Sequence, residues 1–253
     1  MAGITGGGII TAADLYTSTA SPGDNLVVGQ YFVDSKTGKG FRYCLNGAVA
    51  MVKGNVYQAS ADDATYQNMA VGTAAVAGDK YLQITNGTST VTEAQFKGGS
   101  LTIYTAGTIT IGDEYTIVGL TGTLTTGGAM YVWLDRPVRA AVTTSAKVSM
   151  KRSPFSGVVS FPTTATEMVA GVAIHAVAAS EYGWLQTHGP CAINHDGVAF
   201  VTGSDFGVPG ASTGLATIYA LSTGAAGRMR IGYARASCMG SAGHALAGFL
   251  QID

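Results

Sequence analysis

Short runs of alternating apolar and polar residues recur along this chain and are separated by glycine, asparagine or proline. Two examples are GSLTIYTAGTITIGDEYTIVG at 99–119 and AMYVWLDRPV at 129–138. This period of two places successive side chains on opposite faces of a β-strand. Runs of this kind at intervals of roughly 8–12 residues are typical of sandwiches and barrels. With no long amphipathic helical pattern between them, they predict an all-β protein with an antiparallel, sandwich-like or barrel-like body.

Three segments are expected along the chain. Residues 1–22 are mostly Gly, Thr, Ala and Ser, and because glycine disfavours a helix, we predict an extended arm there. A soft boundary falls in KRSPF at 151–155, where a proline interrupts the strand pattern and the prevailing sign of charge changes. We therefore predict an N-terminal β subdomain at 23–153 and a C-terminal β subdomain at 154–253, or one body with a seam at that point.

The predicted surface is poor in charge. Charged residues make up 11% of the 253 residues and the mean hydropathy is +0.26, whereas an ordinary globular domain has roughly 25% charged residues. No apolar run is long enough for a transmembrane helix, and the first residues lack the features of a signal peptide. We therefore expect no membrane association and the burial of surface against partner subunits.

The charge balance and the cysteines also limit the partners. A net charge of −1 provides no general attraction to nucleic acid. Cys44, Cys191 and Cys238 are odd in number and far apart, so they predict reduced thiols in a cytoplasm. Basic residues cluster in one short span, which indicates a solvated face or, alternatively, a contact with an acidic neighbour. They are Arg136, Arg139, Lys147, Lys151 and Arg152.

Motifs of the common enzyme classes do not occur in the sequence. GSAG at 240–243 lacks the spacing of a nucleophile elbow. TGKGF at 37–41 has a glycine where a P-loop requires serine or threonine after the lysine. We therefore predict that the chain is not an enzyme and needs no cofactor.

The stretch YGWLQTHGPC at 182–191 concentrates chemically versatile side chains. His188, Cys191 and His195 are ligand types that zinc prefers. Residues three apart on a strand face opposite sides, however, so the favoured interpretation has no metal there. Instead we predict a half-buried strand that ends at Gly189-Pro190. Its predicted faces are Tyr182, Trp184, Gln186 and His188 on one side, and Leu185 and Thr187 on the other.

Several segments together resemble tailed-bacteriophage virion proteins. The segment VAGVAIHAVAASEYGWLQTHGPCAINHDG at 169–197, with TGAAGRMRIGYA at 223–234 and the terminal FLQID, is similar to their C-terminal halves. GQYFVDSKTGKGFRYCLNGAVAMVKGNVYQ at 29–58 and FKGGSLTIYTAGTITIGDEYTIVG at 96–119 are similar to their N-terminal halves. The chain thus resembles the capsid decoration, or cement, proteins.

This resemblance implies a role without catalytic residues. It implies a homotrimer on the capsid surface of a virion, assembled in the bacterial host cytoplasm, that clamps neighbouring subunits of the major capsid protein. The alternatives are a tail, baseplate or fibre subunit, a carbohydrate-binding or adhesion module, and, least favoured, a hydrolase. The predicted assembly contacts are Ile4, Ile9, Ile10, Leu15, Tyr16, Arg136, Arg139, Lys151, Arg152, Tyr182 and Trp184.

Overall fold

The computed structural model describes residues 3–5, 8–10, 13–23, 26–87, 90–104, 113–122, 124–210, 212–218, 229–237 and 245–253. Its strands are β1 Gly3–Thr5, β2 Gly8–Ile10, β3 Tyr31–Asp34, β4 Lys39–Asn46, β5 Val56–Gln58, β6 Met69–Thr73, β7 Tyr81–Thr85, β8 Ser100–Tyr104, β9 Asp113–Gly122, β10 Ala129–Leu134, β11 Lys147–Lys151, β12 Ser156–Ser160, β13 Val169–Ala173, β14 Tyr182–Asn194, β15 Asp205–Val208, β16 Thr217–Ile218, β17 Met229–Ala234 and β18 Ala245–Gln251. One short helix, α1, spans Glu93–Phe96. The all-β prediction is confirmed.

The chain divides into two compact units. The larger unit comprises Met1–Ala61 and Pro154–Asp253, and the smaller unit comprises Asp62–Ser153. This arrangement differs from the predicted consecutive subdomains, because residues 23–61 belong with the C-terminal part of the chain. The reason is strand pairing: β4 pairs with β12 and β14, and β5 pairs with β12 and β13. The smaller unit is therefore an insertion between β5 and β12.

The smaller unit is a closed barrel with the strand order β10-β7-β6-β11-β8-β9. Alternate residues of each strand point inward, as the period-two pattern requires. In β10, for example, Met130, Val132 and Leu134 are buried while Trp133 lies outside. Phe96 of α1 is buried and packs edge-on against Tyr66, with ring centroids 4.8 Å apart. Apolar burial along every strand thus supplies a core for this unit.

The larger unit is a ten-stranded sheet with the order β16-β15-β17-β18-β14-β13-β5-β12-β4-β3. Strand β14 also pairs with β4, so β14, β13, β5, β12 and β4 form a closed ring. The pairings are antiparallel except for the parallel pair β12–β4. Strands β4 and β14 each take part in three pairings, and β14 is the strand that joins the closed ring to β18.

The N-terminal segment contains more structure than the predicted extended arm. Strands β1 and β2 pair antiparallel, with Ile4 opposite Ile9. A 3-10 turn at Asp14–Tyr16 then buries Leu15 in the larger unit. The backbones of Thr19 and Tyr182 exchange two hydrogen bonds of 3.0 and 2.8 Å. The second half of the predicted arm is therefore part of the larger unit.

No helix in the described ranges is long and apolar enough to cross a membrane.

Candidate functional site

Strand β14 continues through Gly189 and Pro190, where the sequence predicted its end. From His188 to Asn194 it pairs residue by residue with β18, and Pro190 lies opposite Phe249. Gly189 has a φ of +87°, which side chains with a β-carbon rarely adopt. The chain thus bends at Gly189 while β18 keeps the ladder intact, so a Gly-Pro pair here marks a bend within a strand.

The carboxamide of Gln186 supports this bend. Its Nε2 donates hydrogen bonds of 2.9 Å to the carbonyl oxygens of both His188 and Pro190. The β4–β14 register shifts between Gln186 and His188, so these carbonyls lie where the regular ladder is interrupted. Since Gln186 is only 2% exposed, its amide satisfies backbone acceptors that regular pairing would otherwise satisfy.

Strand β14 is buried on both faces in its first half, and the prediction of a half-buried strand is wrong. Tyr182 and Trp184 pack with Tyr43 in one hydrophobic cluster, and Leu185 belongs to a second cluster. The alternation of faces was thus predicted correctly for these residues. Both faces are covered, because Leu185 packs with side chains of the closed ring, and Tyr182 and Trp184 pack with Leu15 and Phe32 from the N-terminal part of the chain.

An open pocket of about 360 Å³ lies beside the second half of β14. Its apolar surface comes from small or branched side chains such as Ala173, Ile174 and Ala247. Gln186, Pro190 and Cys191 also line it, so the bend at Gly189 shapes one of its walls. A cavity of this size is in the range that takes small ligands or a peptide segment.

Three cationic side chains line the pocket: Lys39, Lys53 and Arg235. Lys39 begins β4 beside Gly189. The carbonyl of Lys53 accepts a 2.9 Å hydrogen bond from Nδ2 of Asn194. The backbone N–H of Arg235 donates to Ala247 of β18 at 2.8 Å. The backbones that carry the three cations are therefore held at separate points around β14.

The described part of the pocket wall contains no carboxylate. Two other cations of the larger unit have acidic partners: Arg42 pairs with Asp253 at 3.2 Å and Arg230 with Asp205 at 2.9 Å. No salt bridge within the described ranges involves the three pocket cations. Among the described residues, the positive charge of the pocket is therefore not compensated by an ion pair.

The thiol in the pocket is a poor nucleophile. Burial raises the pKa of Cys191 to about 12, although the nearby Lys39 ammonium acts in the opposite direction. The thiol is therefore protonated at neutral pH. Together with three cations, this chemistry suits the binding of an anionic ligand.

The His188, Cys191 and His195 side chains have separate surroundings. The ring of His188 packs edge-on against Phe249 with centroids 5.3 Å apart. His195 is buried, and its Nδ1 accepts a 3.1 Å hydrogen bond from the N–H of Gly197. Within the described ranges no three His, Cys, Asp or Glu side chains group as metal ligands would. Cys238 lies outside the described residues.

Three of the predicted assembly contacts are interior residues of the larger unit. Leu15, Tyr182 and Trp184 are buried in one cluster, so the structure corrects their assignment to an outer contact surface. Their aromatic and apolar character fits a core as well as an interface, and the sequence pattern does not separate the two. Tyr16 is 56% exposed and lines the pocket. The side chains of Ile4, Ile9 and Ile10 lie outside the described residues.

Two of the predicted basic contacts interact with strand β9 of the smaller unit. Arg136 donates a hydrogen bond to the carbonyl of Glu114 and lies 5.2 Å from the ring centroid of Tyr115. Arg139 forms an ion pair with Asp113, whose carboxylate is largely buried. Both guanidinium groups are therefore engaged within their own unit.

The other two basic contacts also have neighbours in the smaller unit. The Nζ of Lys151 lies 3.2 Å from the carboxylate of Asp62. The guanidinium of Arg152 lies 5.9 Å from the ring centroid of Phe96. The basic residues that cluster in the sequence at 136–152 thus do not form a cationic patch comparable with the pocket of the larger unit.

A row of aromatic side chains lies on the outside of the barrel. Tyr81 packs against Tyr131 and Trp133 with ring centroids 5.8 and 5.2 Å apart. Trp133 is 41% exposed, and its Nε1 donates a 3.0 Å hydrogen bond to Thr121. We call these three rings the aromatic row. It combines exposed apolar surface with hydrogen-bonding groups.

Comparison with protein-family models, with curated proteins and with solved structures gives no match to this chain.

Proposed function

We propose that this protein is a structural subunit of a tailed-phage particle that binds the outer surface of the capsid and bridges major capsid subunits. In this role it forms a homotrimer, acts without catalysis or cofactor, and assembles in the cytoplasm of the bacterial host. The resemblance of its segments to capsid decoration proteins supports this role.

The observation that carries the proposal is exposed apolar surface on a chain of low charge. Fourteen large hydrophobic side chains of the described residues are well exposed, and they occur on both units. Tyr31 and Val33 lie on β3, where the ten-stranded sheet ends. An edge strand with exposed apolar side chains favours association with another chain. Surfaces of this kind suit a subunit that buries area in an assembly.

The proposed mechanism is stabilisation by linkage. A subunit that binds across the joints of an expanded shell, and binds separated capsid subunits poorly, stabilises the assembled state. At a free concentration of about 100 times Kd, one such site contributes about 2.7 kcal/mol. Many sites on one shell would together oppose the pressure of the packaged genome.

The direct test is binding to shells. The purified protein is mixed with capsids that lack decoration and sedimented, and bound protein is counted and located by electron microscopy. We expect saturable occupancy at fixed lattice positions and a higher melting temperature of the shell. Association with tails or baseplates instead of shells would favour the alternative virion role. A monomer at high concentration without affinity for any part of the particle would contradict the proposal.

Truncation separates the N-terminal segment from the body of the larger unit. Removal of residues 1–12 should leave the body folded, because the contacts of Leu15 and Thr19 are retained. Removal of residues 1–20 should also lower the unfolding free energy, since it deletes a buried leucine worth about 2–5 kcal/mol. Melting temperature and shell occupancy are measured for both. Unchanged occupancy after the shorter truncation would show that this segment makes no shell contact.

The aromatic row favours a second candidate, a carbohydrate-binding or adhesion role. Exposed Tyr and Trp rings present flat apolar faces beside hydrogen-bonding groups, which suits the stacking of a sugar ring. A glycan array tests this role, with Trp133→Ala as the variant that should lose binding. A protein that binds no glycan while decorating shells would leave the capsid role as the only candidate.

A further inference from the structure

We propose that the cationic pocket beside β14 binds an extended acidic peptide segment of a partner protein. The inference goes beyond the proposed capsid role and does not depend on it, because the pocket lies wholly within the larger unit.

Charge complementarity is the first argument. The larger unit contains seven lysines and arginines and eight acidic residues. Three of those cations line the pocket, whereas the described lining includes none of the acidic residues. Cations that converge on one cavity without carboxylates favour an anionic ligand. Since the neighbouring thiol of Cys191 is protonated, it adds no negative charge that would oppose such a ligand.

The spacing of the cations selects an extended ligand. Lys39 lies beside Gly189, and Lys53 is bonded to Asn194. These two positions on β14 are five residues apart, which corresponds to about 17 Å along a strand. Arg235 lies across β18 from β14, about 10 Å away in the direction of the sheet. These spacings separate the backbone positions that carry the three cations, whose side chains all line the one pocket. Cations that enter a pocket from such different directions can each meet a different carboxylate along a peptide.

The form of the pocket also suits a peptide. It is open to solvent, and small residues such as Ala247 and Gly248 line it, so a main chain can approach the sheet closely. Tyr16 lies at the pocket with its side chain largely exposed, and its ring can cover part of a bound segment. Tyrosine commonly supplies such contacts at interfaces with little loss of side-chain entropy.

The test uses the full-length protein and a fluorescent peptide of alternating Glu and Gly, with a Gln-Gly peptide of equal length as the neutral control. Binding is followed by anisotropy. The pocket variant combines Lys39→Gln, Lys53→Gln and Arg235→Gln. Its charge-matched control combines Lys36→Gln, Lys80→Gln and Lys97→Gln, none of which lines the described pocket.

We expect the acidic peptide to bind, the Gln-Gly peptide not to bind, and the affinity to fall as salt is raised. The pocket variant should bind about tenfold more weakly, as expected for the loss of three exposed ion pairs. The charge-matched control should bind like the parent. The fluorescence of the two tryptophans shows whether each variant is folded, because Trp184 lies in the core of the larger unit and Trp133 lies in the smaller unit.

Four outcomes would overturn the inference. Equal losses of peptide affinity in the pocket variant and in its control would show that binding depends only on the overall charge of the protein. Phosphate or citrate binding without peptide binding would indicate a site for a small anion. Tighter binding of a single-stranded oligonucleotide than of the peptide would indicate a nucleic-acid ligand. A failed peptide assay alongside normal shell decoration would contradict this inference while leaving the proposed function intact.

Discussion

Replacement of Gln186 by leucine should destabilise the larger unit by about 2 kcal/mol. The substitution removes the donor that the carbonyls of His188 and Pro190 share. A buried acceptor that loses its partner costs about 1–3 kcal/mol. Because both carbonyls belong to partly exposed residues, water can replace part of the lost bonding, so we use the lower end of that range for each. The buried leucine offsets little of the loss.

The Gln186→Glu substitution adds a diagnostic dependence on pH. A carboxylate at this position would face two carbonyl oxygens in a buried environment, so the folded state favours the protonated side chain. The folded variant then holds its proton more tightly than the unfolded chain does. Stability should therefore be partly recovered as the pH is lowered and lost as it is raised. The leucine variant should show no such additional dependence.

The assay uses the distribution of the two tryptophans. Trp184 is 2% exposed in the larger unit and Trp133 is partly exposed in the smaller unit, so a Trp133→Phe background reports the larger unit alone. In urea, a loss of about 2 kcal/mol lowers the midpoint by about 1 M for an m-value near 2 kcal/mol/M.

The adjacent residue provides a matched control. Thr187 is also buried, but its hydroxyl has no hydrogen-bond partner within the described residues. Thr187→Val should therefore be neutral or stabilising. Two results would refute the role assigned to this amide. One is a urea midpoint of the Gln186→Leu variant equal to that of the parent, and the other is a stability of the Gln186→Glu variant that changes with pH in the same way as that of the parent.

Two further predictions concern the larger unit. Burial lowers the pKa of His175, so the unfolded state binds more protons than the folded state near and below the ordinary value of about 6.5, and stability should fall as the pH is lowered from 7 to 5. The His175→Leu substitution should flatten this pH dependence by at most about 1.4 kcal/mol per pH unit, as measured by urea unfolding. An unchanged slope of stability against pH would contradict the assignment to His175. A β-carbon on Gly232 would overlap the carbonyl oxygen of Phe249, so Gly232→Ala should lower the melting temperature strongly. Gly203→Ala, where nothing lies within 4 Å, should cost only about 1 kcal/mol of backbone strain, and equal losses in the two variants would refute the steric argument.

The periodicity of the sequence was sufficient to predict strands but not their partners. Alternation in the first half of β14 gave the correct faces for Tyr182, Trp184 and Leu185. It did not show that β4 pairs with β14, because that pairing joins residues more than 130 positions apart. The same limitation explains the wrong end of β14: a Gly-Pro pair usually marks a corner, and only the presence of β18 keeps it in a ladder.

The pocket was not predicted, for a related reason. Lys39, Lys53 and Arg235 are dispersed along the chain, and each is an ordinary surface residue in its local context. The visible basic cluster at 136–152 instead supplies ion pairs and ring contacts within the smaller unit. A weak signal was available in TGKGF at 37–41, where a lysine between glycines starts β4, but its significance depends on the other two cations.

The insertion of the smaller unit between β5 and β12 has a consequence for the order of folding. Tyr57 pairs with Ser160 only after a long intervening segment has been closed, and for a flexible loop of the length of Asp62–Ser153 this closure costs about 4 kcal/mol or more. The two ends of the smaller unit lie close together, since Nζ of Lys151 is 3.2 Å from the carboxylate of Asp62. A barrel that forms first therefore shortens the effective loop and speeds pairing of β5 with β12. Substitutions that slow barrel formation should consequently delay refolding of the larger unit without changing any of its contacts.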